Sequence, residues 1–392
     1  MNASRANKSQ LKIIYFTTIL TICSLYAAQP IQPVFQAEFQ LGNLQALLFT
    51  TLMMLPLGIA PLFYGFLLET FSAKLLVRAA VLILGLLELV FACSTSYFSL
   101  LLVRAVQGLM IPAILTSLMS YISFTSDRGN VQRFIAFYIA ATIVGGFLGR
   151  FLSGLSTELF GWRYFFAFLG VLLIFSFYLL RALEKDANME YAKPKLSEIT
   201  DLLRKGEYFW LYIGIFSIFF VFSAMMNFLP FALRQINPSL GEAGIGFLYF
   251  GYAMGIFVSL NSPRIIRLFG NETDAVRAAI VIFFAGTTLF FIKDYRVMFG
   301  AMFVFCTGLF MAHSLLSGFV NKMSNTKKGI ANGVYISFYY MGGTFGSFIP
   351  GYFFENYGWS GFLVFLQAML LFSFFCIHML KRGIVAKASL PS

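Results

Sequence analysis

Apolar runs near the width of a bilayer follow one another along almost the whole chain, and no other feature restricts its fold so far. Twelve can be marked, at about 12–34, 45–68, 75–93, 99–122, 134–157, 164–182, 208–233, 244–263, 276–292, 297–320, 330–354 and 361–380, each near the ~17–25 residues that a spanning helix needs. Lipid offers the backbone no hydrogen-bond partner, so runs of this length are expected to be helices rather than open strands. Polar groups are too few for any other solvent. The chain is 59% hydrophobic and 11% charged, whereas a soluble domain carries roughly 25% charged residues.

The net charge of +12 would suit nucleic acid, but the basic residues stand singly between apolar runs. No Lys/Arg tract or nucleic-acid motif accompanies them, which leaves membrane orientation as their reading. With the N-terminus placed in the cytoplasm, about 22 of the 28 lysines and arginines fall in cytoplasmic segments and about four outside, the bias expected when both termini are cytoplasmic. Arg5, Lys8 and Lys12 ahead of the first run resemble a signal peptide. That run is long enough to span and others like it follow, so it is read as a retained helix. The four cysteines, Cys23, Cys93, Cys306 and Cys376, lie in apolar runs without zinc-ligand or disulfide spacing, which suits packing residues.

The chain also contains itself twice. Gly145, Gly146, Gly149, Gly154, Gly161 and Trp162 recur as Gly342, Gly343, Gly346, Gly351, Gly358 and Trp359, all at one offset of 197. Pro33 and Pro230, and Gly58 and Gly255, keep the same offset. Six spans per copy is an even number, so both copies enter the membrane in the same direction, as parallel repeats. The reading is an all-α membrane protein with 12 transmembrane helices: an N-terminal six-helix bundle over 1–182, a cytoplasmic linker over 183–206 and a C-terminal six-helix bundle over 207–392. Gly145 with Gly149, and Gly342 with Gly346, form G-x-x-x-G, whose spacing puts small residues on one helix face and lets backbones approach. The Gly-Trp pairs are expected at the outer membrane interface.

These features resemble the major facilitator superfamily over the whole chain. After the second span the family carries G-x-x-x-D-R-x-G-R-K; here Gly65 to Lys74 reads GFLLETFSAK. Gly65 and Lys74 fit and Glu69 keeps a carboxylate, while Thr70, Ser72 and Ala73 depart from the pattern. In span four R-x-x-Q-G stands as Arg104-Ala-Val-Gln107-Gly108. The glycine-rich stretch of span five is similar to that of the drug- or sugar-efflux-like proton-antiport branch, without its usual Gly-Pro pair. The resemblance implies alternating access around a substrate site between the repeats, and a coupling role for Arg104.

Ionisable residues inside a membrane are costly and are functional candidates by default. Four lie within spans: Glu88, Arg104, Arg150 and His313. At 1.5 Å per residue, Glu88 and Arg104 both sit roughly 8 Å below the outer surface. The short turn Ser94–Phe98 joins their spans, so an ion pair is geometrically reasonable, and Arg150 lies deep enough to compete for the same carboxylate. A proton-linked switch and a static ion pair both fit. Arg150 also fits snorkelling to the interface, and His313 fits either a proton relay or a packing role. Span one ends in YAAQPIQP, where Pro30 and Pro33 interrupt the helix beside Gln29 and Gln32. Span seven carries Asn227 and Pro230. With Gln107, Tyr335, Tyr339 and Tyr340, these polar and aromatic residues are candidates for lining a substrate cavity.

No phosphate-cradling loop, H-E-x-x-H or nucleophile elbow is present, so neither ATP drive nor an enzyme activity is expected, and no metal or cofactor is implied. The resulting expectation is a secondary active transporter of the bacterial inner membrane, monomeric, exporting a small amphipathic or sugar-like compound in exchange for protons. An uptake symporter or facilitator, a lipid-translocating transporter, and a non-transporting scaffold or sensor remain alternatives.

Overall fold

The computed structural model describes residues 8–60, 71–126, 131–184, 196–324 and 328–388. Gly65 and Glu69 fall outside them. Every regular element among the described residues is a helix, as a chain solvated by lipid requires. The first half contains α1 (Lys8–Tyr26), α2 (Gln32–Phe39), α3 (Asn43–Ile59), α4 (Ala73–Cys93), α5 (Tyr97–Thr125), α6 (Val131–Phe160) and α7 (Trp162–Leu179). The short α8 (Leu196–Arg204) lies in the predicted linker. The second half contains α9 (Gly206–Ile236), α10 (Glu242–Leu248), α11 (Ala253–Phe269), α12 (Glu272–Leu289), α13 (Tyr295–Met323), α14 (Lys328–Gly346) and α15 (Gly351–Ala388).

Eight helical stretches among the described residues are long and apolar enough to cross a membrane. The other four predicted spans are helical over most of their described residues, which completes twelve spans in two six-helix repeats. The helices fall into two compact units. One holds α1 to α7 and Leu240–Phe247; the other holds α8, α9 and the chain from Leu248 onward.

Three predicted spans are interrupted. The first stops at Tyr26 and restarts at Gln32, because Pro30 and Pro33 cannot donate to a helical ladder. The break is satisfied locally: Ala27 N donates to Cys23 O at 2.9 Å, Gln29 N to Tyr26 O at 3.1 Å and Phe35 N to Ile31 O at 3.2 Å. Its consequence is that Gln29 and Gln32 turn inward and are buried. Span eight contains a 3-10 turn at Tyr249–Tyr252. Span eleven breaks at Ser347–Pro350 between α14 and α15, and α15 then runs through Gly358, whose left-handed φ of 64° kinks it ahead of span twelve.

The glycine spacing makes a seam in each unit. A Cβ on Gly149 would lie 2.7 Å from Cys23 Cα, so α6 meets α1 backbone to backbone. A Cβ on Gly346 would strike the carbonyl oxygen of Phe220, bringing α14 equally close to α9. Cys23 and Phe220 are themselves 197 apart, so the repeat extends to both sides of the contact. The two tryptophans are buried. Trp162 and Trp359 are 3% and 5% exposed and point into the bundle. Trp162 Nε1 donates to Glu38 Oε2 at 2.6 Å and Trp359 Nε1 to Phe290 O at 2.9 Å. Buried indole N–H groups need such partners, and the left-handed Gly161 (φ 97°) turns the chain to provide one.

Gly149→Val is expected to lower the stability of the detergent-purified protein by about 1–3 kcal/mol through overpacking against α1. Gly300→Ala, where an added Cβ meets nothing within 4 Å, should leave the thermal midpoint unchanged or raised.

Candidate functional site

The inward faces of α1, α4 and α5 bring together the charged residues singled out above. Thr17, Thr21 and Ser24 lie on one face of α1, at a spacing of four and then three residues. Thr17 and Thr21 return their hydroxyls to carbonyls one turn back, at 2.8 Å each. Ser24 instead donates to Glu88 Oε1. Glu88, on α4, and Arg104, on α5, are both 0% exposed.

Arg104 is held by backbone and amide oxygens. Its Nε donates to Phe49 O at 2.9 Å, and one terminal nitrogen donates to Gln107 Oε1 at 3.1 Å and to Ser24 O at 3.4 Å. The guanidinium carbon lies 5.1 Å and 5.7 Å from the ring centroids of Phe91 and Phe166. Glu88 and Arg104 make no direct ion pair, in contrast to the pairing that their depths suggested. Ser24 joins them instead, its hydroxyl on the carboxylate and its carbonyl on the guanidinium. Glu88 Oε2, Arg104 Nη2 and Gln107 Nε2 are buried without a hydrogen-bond partner. Such atoms are uncommon in a folded core and costly to leave unpaired.

Arg150 is 1% exposed and does not snorkel. It donates through Nε to Gln29 Oε1 at 2.6 Å and through Nη1 to Gly146 O at 2.6 Å, and its guanidinium carbon lies 4.0 Å from the centroid of the Tyr26 ring. It is thereby bound to the broken end of span one. Gln32 Nε2 donates to Thr50 Oγ1 at 2.9 Å, and Ser153 Oγ donates to Ala27 O at 2.6 Å. The break at Pro30 and Pro33 and the buried charges therefore form one polar region in the first unit. Ser24, Tyr26 and Ser153 were not singled out from the sequence. The regular spacing of Thr17, Thr21 and Ser24 is the signal that would have found Ser24; the carbonyls of Phe49 and Gly146 leave no mark in a sequence.

The second unit carries no equivalent charge cluster among its described residues. His313 on α13 lies with its Nδ1 2.9 Å from the Tyr335 hydroxyl, which also donates to His313 O at 3.2 Å. The Tyr339 ring is 4.5 Å from the His313 ring and is stacked on Phe219 at 3.6 Å. Asn227 Nδ2 donates to Ser223 O at 2.8 Å, within α9. Lys74, the basic residue closing the family loop, donates to the carbonyls of Arg181 and Leu183 beyond the end of α7. No group of three or more His, Cys, Asp or Glu side chains suited to a metal occurs among the described residues. Cys23, Cys306 and Cys376 are buried free thiols, whereas Cys93 is exposed.

Residues 14–342 match the model of the Major Facilitator Superfamily. The inner membrane transport protein YnfM of Escherichia coli is 26% identical, over 91% of this chain and 87% of that protein. The quinolone resistance protein NorA of Staphylococcus aureus is 21% identical, over 88% and 90%. The crystal structure of the nucleoside transporter NupG superimposes with a TM-score of 0.77 at 14% identity, covering 94% of this chain and 99% of that one. At that identity the likeness speaks for the fold alone.

Glu88→Gln is expected to destabilise the protein, because Arg104 then keeps a buried charge that it cannot shed. Adding Arg104→Met should recover most of the loss. Denaturant or thermal unfolding of the single and double variants checks this; additive losses would show that the two residues are not coupled.

Proposed function

The chain belongs to the Major Facilitator Superfamily, and on that premise we propose that it is a proton-coupled exporter of a small amphipathic or sugar-like compound, working by alternating access. It is a multi-pass membrane transporter and not an enzyme; export, protons as the coupling ion, the monomeric state, the inner-membrane location and cytoplasmic termini are our reading. The observation that carries it is the burial of Glu88 in one hydrogen-bonded cluster with Arg104. Export is supported by the likeness to NorA, a quinolone resistance protein. The inner membrane is supported by the likeness to YnfM, an inner membrane transport protein.

In this mechanism Glu88 is the proton carrier and Arg104 its counter-charge. Burial favours the neutral carboxyl and a nearby guanidinium favours the carboxylate, so changing the distance between them moves a proton on or off. Ser24 holds one carboxylate oxygen and Gln107 orients Arg104. Protonation leaves the Arg104 charge without its acid counterpart, which favours an arrangement that gives the guanidinium other partners. Arg150 fixes the broken end of span one through Gln29. Gln29, Gln32, Gln107, Asn227, Tyr335 and Tyr339 are the proposed substrate contacts, with His313 a secondary proton site. Gly65, Glu69 and Lys74 are proposed gating elements, and the glycines at 145, 149, 342 and 346 the packing surfaces along which helices shift.

The test uses a compound chosen because it raises the thermal midpoint of the purified protein. Everted vesicles containing the wild type should accumulate it, and a protonophore should abolish the accumulation. Vesicles with Glu88→Gln or Arg104→Ala should fall to the level of vesicles lacking the protein. Accumulation that ignores the protonophore and both variants would overturn the coupling scheme, and accumulation only in right-side-out vesicles would reverse the direction.

A further inference from the structure

Each unit carries two cations near a repeat-matched phenylalanine at one end, and in the second unit an aspartate lies between them. In the second unit Arg277, on α12, holds its guanidinium carbon 4.9 Å from the centroid of the Phe374 ring. Lys381 is near the end of α15. Between them lies Asp274, three residues before Arg277. Lys381 Nζ donates to both Asp274 carboxylate oxygens, at 2.8 Å and 2.7 Å, and Arg277 Nη1 donates to Asp274 Oδ1 at 3.3 Å. The Lys381 ammonium holds the Asp274 carboxyl below the usual carboxylate range.

Phe177 lies 197 positions before Phe374, Arg78 lies 199 before Arg277, and Arg181 lies 200 before Lys381. Arg78, on α4, has its guanidinium carbon 4.8 Å from the centroid of the Phe177 ring, nearly the distance of its counterpart. Arg78 Nε and Arg277 Nε are both buried without a hydrogen-bond partner, so the two arginines are seated alike. Arg181 approaches the same Phe177 ring at 5.8 Å and Tyr178 at 4.8 Å. Lys74 adds a third positive charge through its bonds to the carbonyls of Arg181 and Leu183. The position three residues before Arg78 is Leu75, not an acid, and it is 56% exposed. Neither Arg78 nor Arg181 makes an ion pair with a described residue; the ion pairs formed among those residues lie elsewhere.

We propose that Arg78 and Arg181 bind the phosphate of an anionic phospholipid headgroup. Guanidinium forks match phosphate oxygens in charge and geometry, and basic pockets between spanning helices suit anionic headgroups. The same two helices present apolar side chains outward, Ile83 and Leu86 on α4 and Phe175 on α7, at 42%, 48% and 52% exposure. They offer a surface for acyl chains, which a free anion would not use. The site lies at the end of the unit where Gln10, near the start of α1, donates to Ala182 O at 3.2 Å. On the orientation proposed above, that is the cytoplasmic leaflet. The second unit fills the equivalent place with Asp274 and is not expected to take a lipid there.

Native mass spectrometry of the detergent-purified chain, titrated with phosphatidylglycerol or phosphatidylcholine, tests the proposal. The wild type and Arg296→Gln should bind phosphatidylglycerol with equal affinity and prefer it to phosphatidylcholine. The double variant Arg78→Gln, Arg181→Gln should bind it at least about tenfold more weakly, a change of about 1.4 kcal/mol. Leu75→Asp keeps both arginines and copies the second unit's acid into the first; it should lose the lipid to the same extent. Thermal unfolding of each variant confirms that it is folded. Equal phosphatidylglycerol binding by all four proteins would overturn the proposal, as would equal binding of the two lipids by the wild type. Displacement of the lipid by millimolar inorganic phosphate would overturn it in favour of a free-anion site.

Discussion

A full positive charge sits at 0% exposure in a chain whose solvent is lipid, and the first six-helix unit is arranged around it. Arg104 cannot deprotonate to escape burial, and several kcal/mol of desolvation must be offset by whatever surrounds it. The offset comes from four helices: the Phe49 carbonyl on α3, the Ser24 carbonyl on α1, Gln107 on α5 itself, and Glu88 on α4 through the Ser24 hydroxyl. Two aromatic rings complete the shell. A site held by so many elements is not deformed locally. On the proposed mechanism, a change in the charge of Glu88 therefore reaches all four helices.

The helices are symmetric while the chemistry is not. Both units use the same glycine seam, with Gly149 on Cys23 and Gly346 on Phe220, and both turn a left-handed glycine into a buried tryptophan. On this common frame the first unit carries Glu88, Arg104 and Arg150. The second carries an uncharged aromatic group around His313, where Tyr335 and Tyr339 close on the imidazole. At one end of the units the asymmetry reverses: the second unit pairs Arg277 and Lys381 with Asp274, and on our proposal the first takes an outside anion at Arg78 and Arg181. The two units share the steric positions, where one added carbon is prohibitive, and differ in their charges.

The architecture was legible because hydrophobic length and constant offset are one-dimensional signals. Twelve runs and a repeat of 197 are visible without knowing which residues touch. The broken first span was legible for the same reason, since Pro30 and Pro33 act locally. The site was legible only as a set of residue types. Glu88, Arg104 and Arg150 stood out as charges in apolar runs, but their partners did not. Arg150 was a candidate rival for Glu88 and is bound to Gln29 and Gly146 O instead. A backbone carbonyl accepts a hydrogen bond whatever side chain it carries, so half of what holds these arginines has no sequence signature. The hydrogen bonds of the two tryptophans, to Glu38 and to Phe290 O, are likewise supplied only by the fold.

The account turns on one claim, that the Glu88 carboxyl gains and loses a proton while the protein stays folded. Infrared difference spectroscopy of the purified protein over its range of stable pH, with Glu88→Gln as the reference, reads that carboxyl directly. The account predicts a protonated-carboxyl C=O band that grows as pH falls and is missing from Glu88→Gln. A spectrum in which no such band changes with pH, or in which the changing band survives in Glu88→Gln, would contradict it.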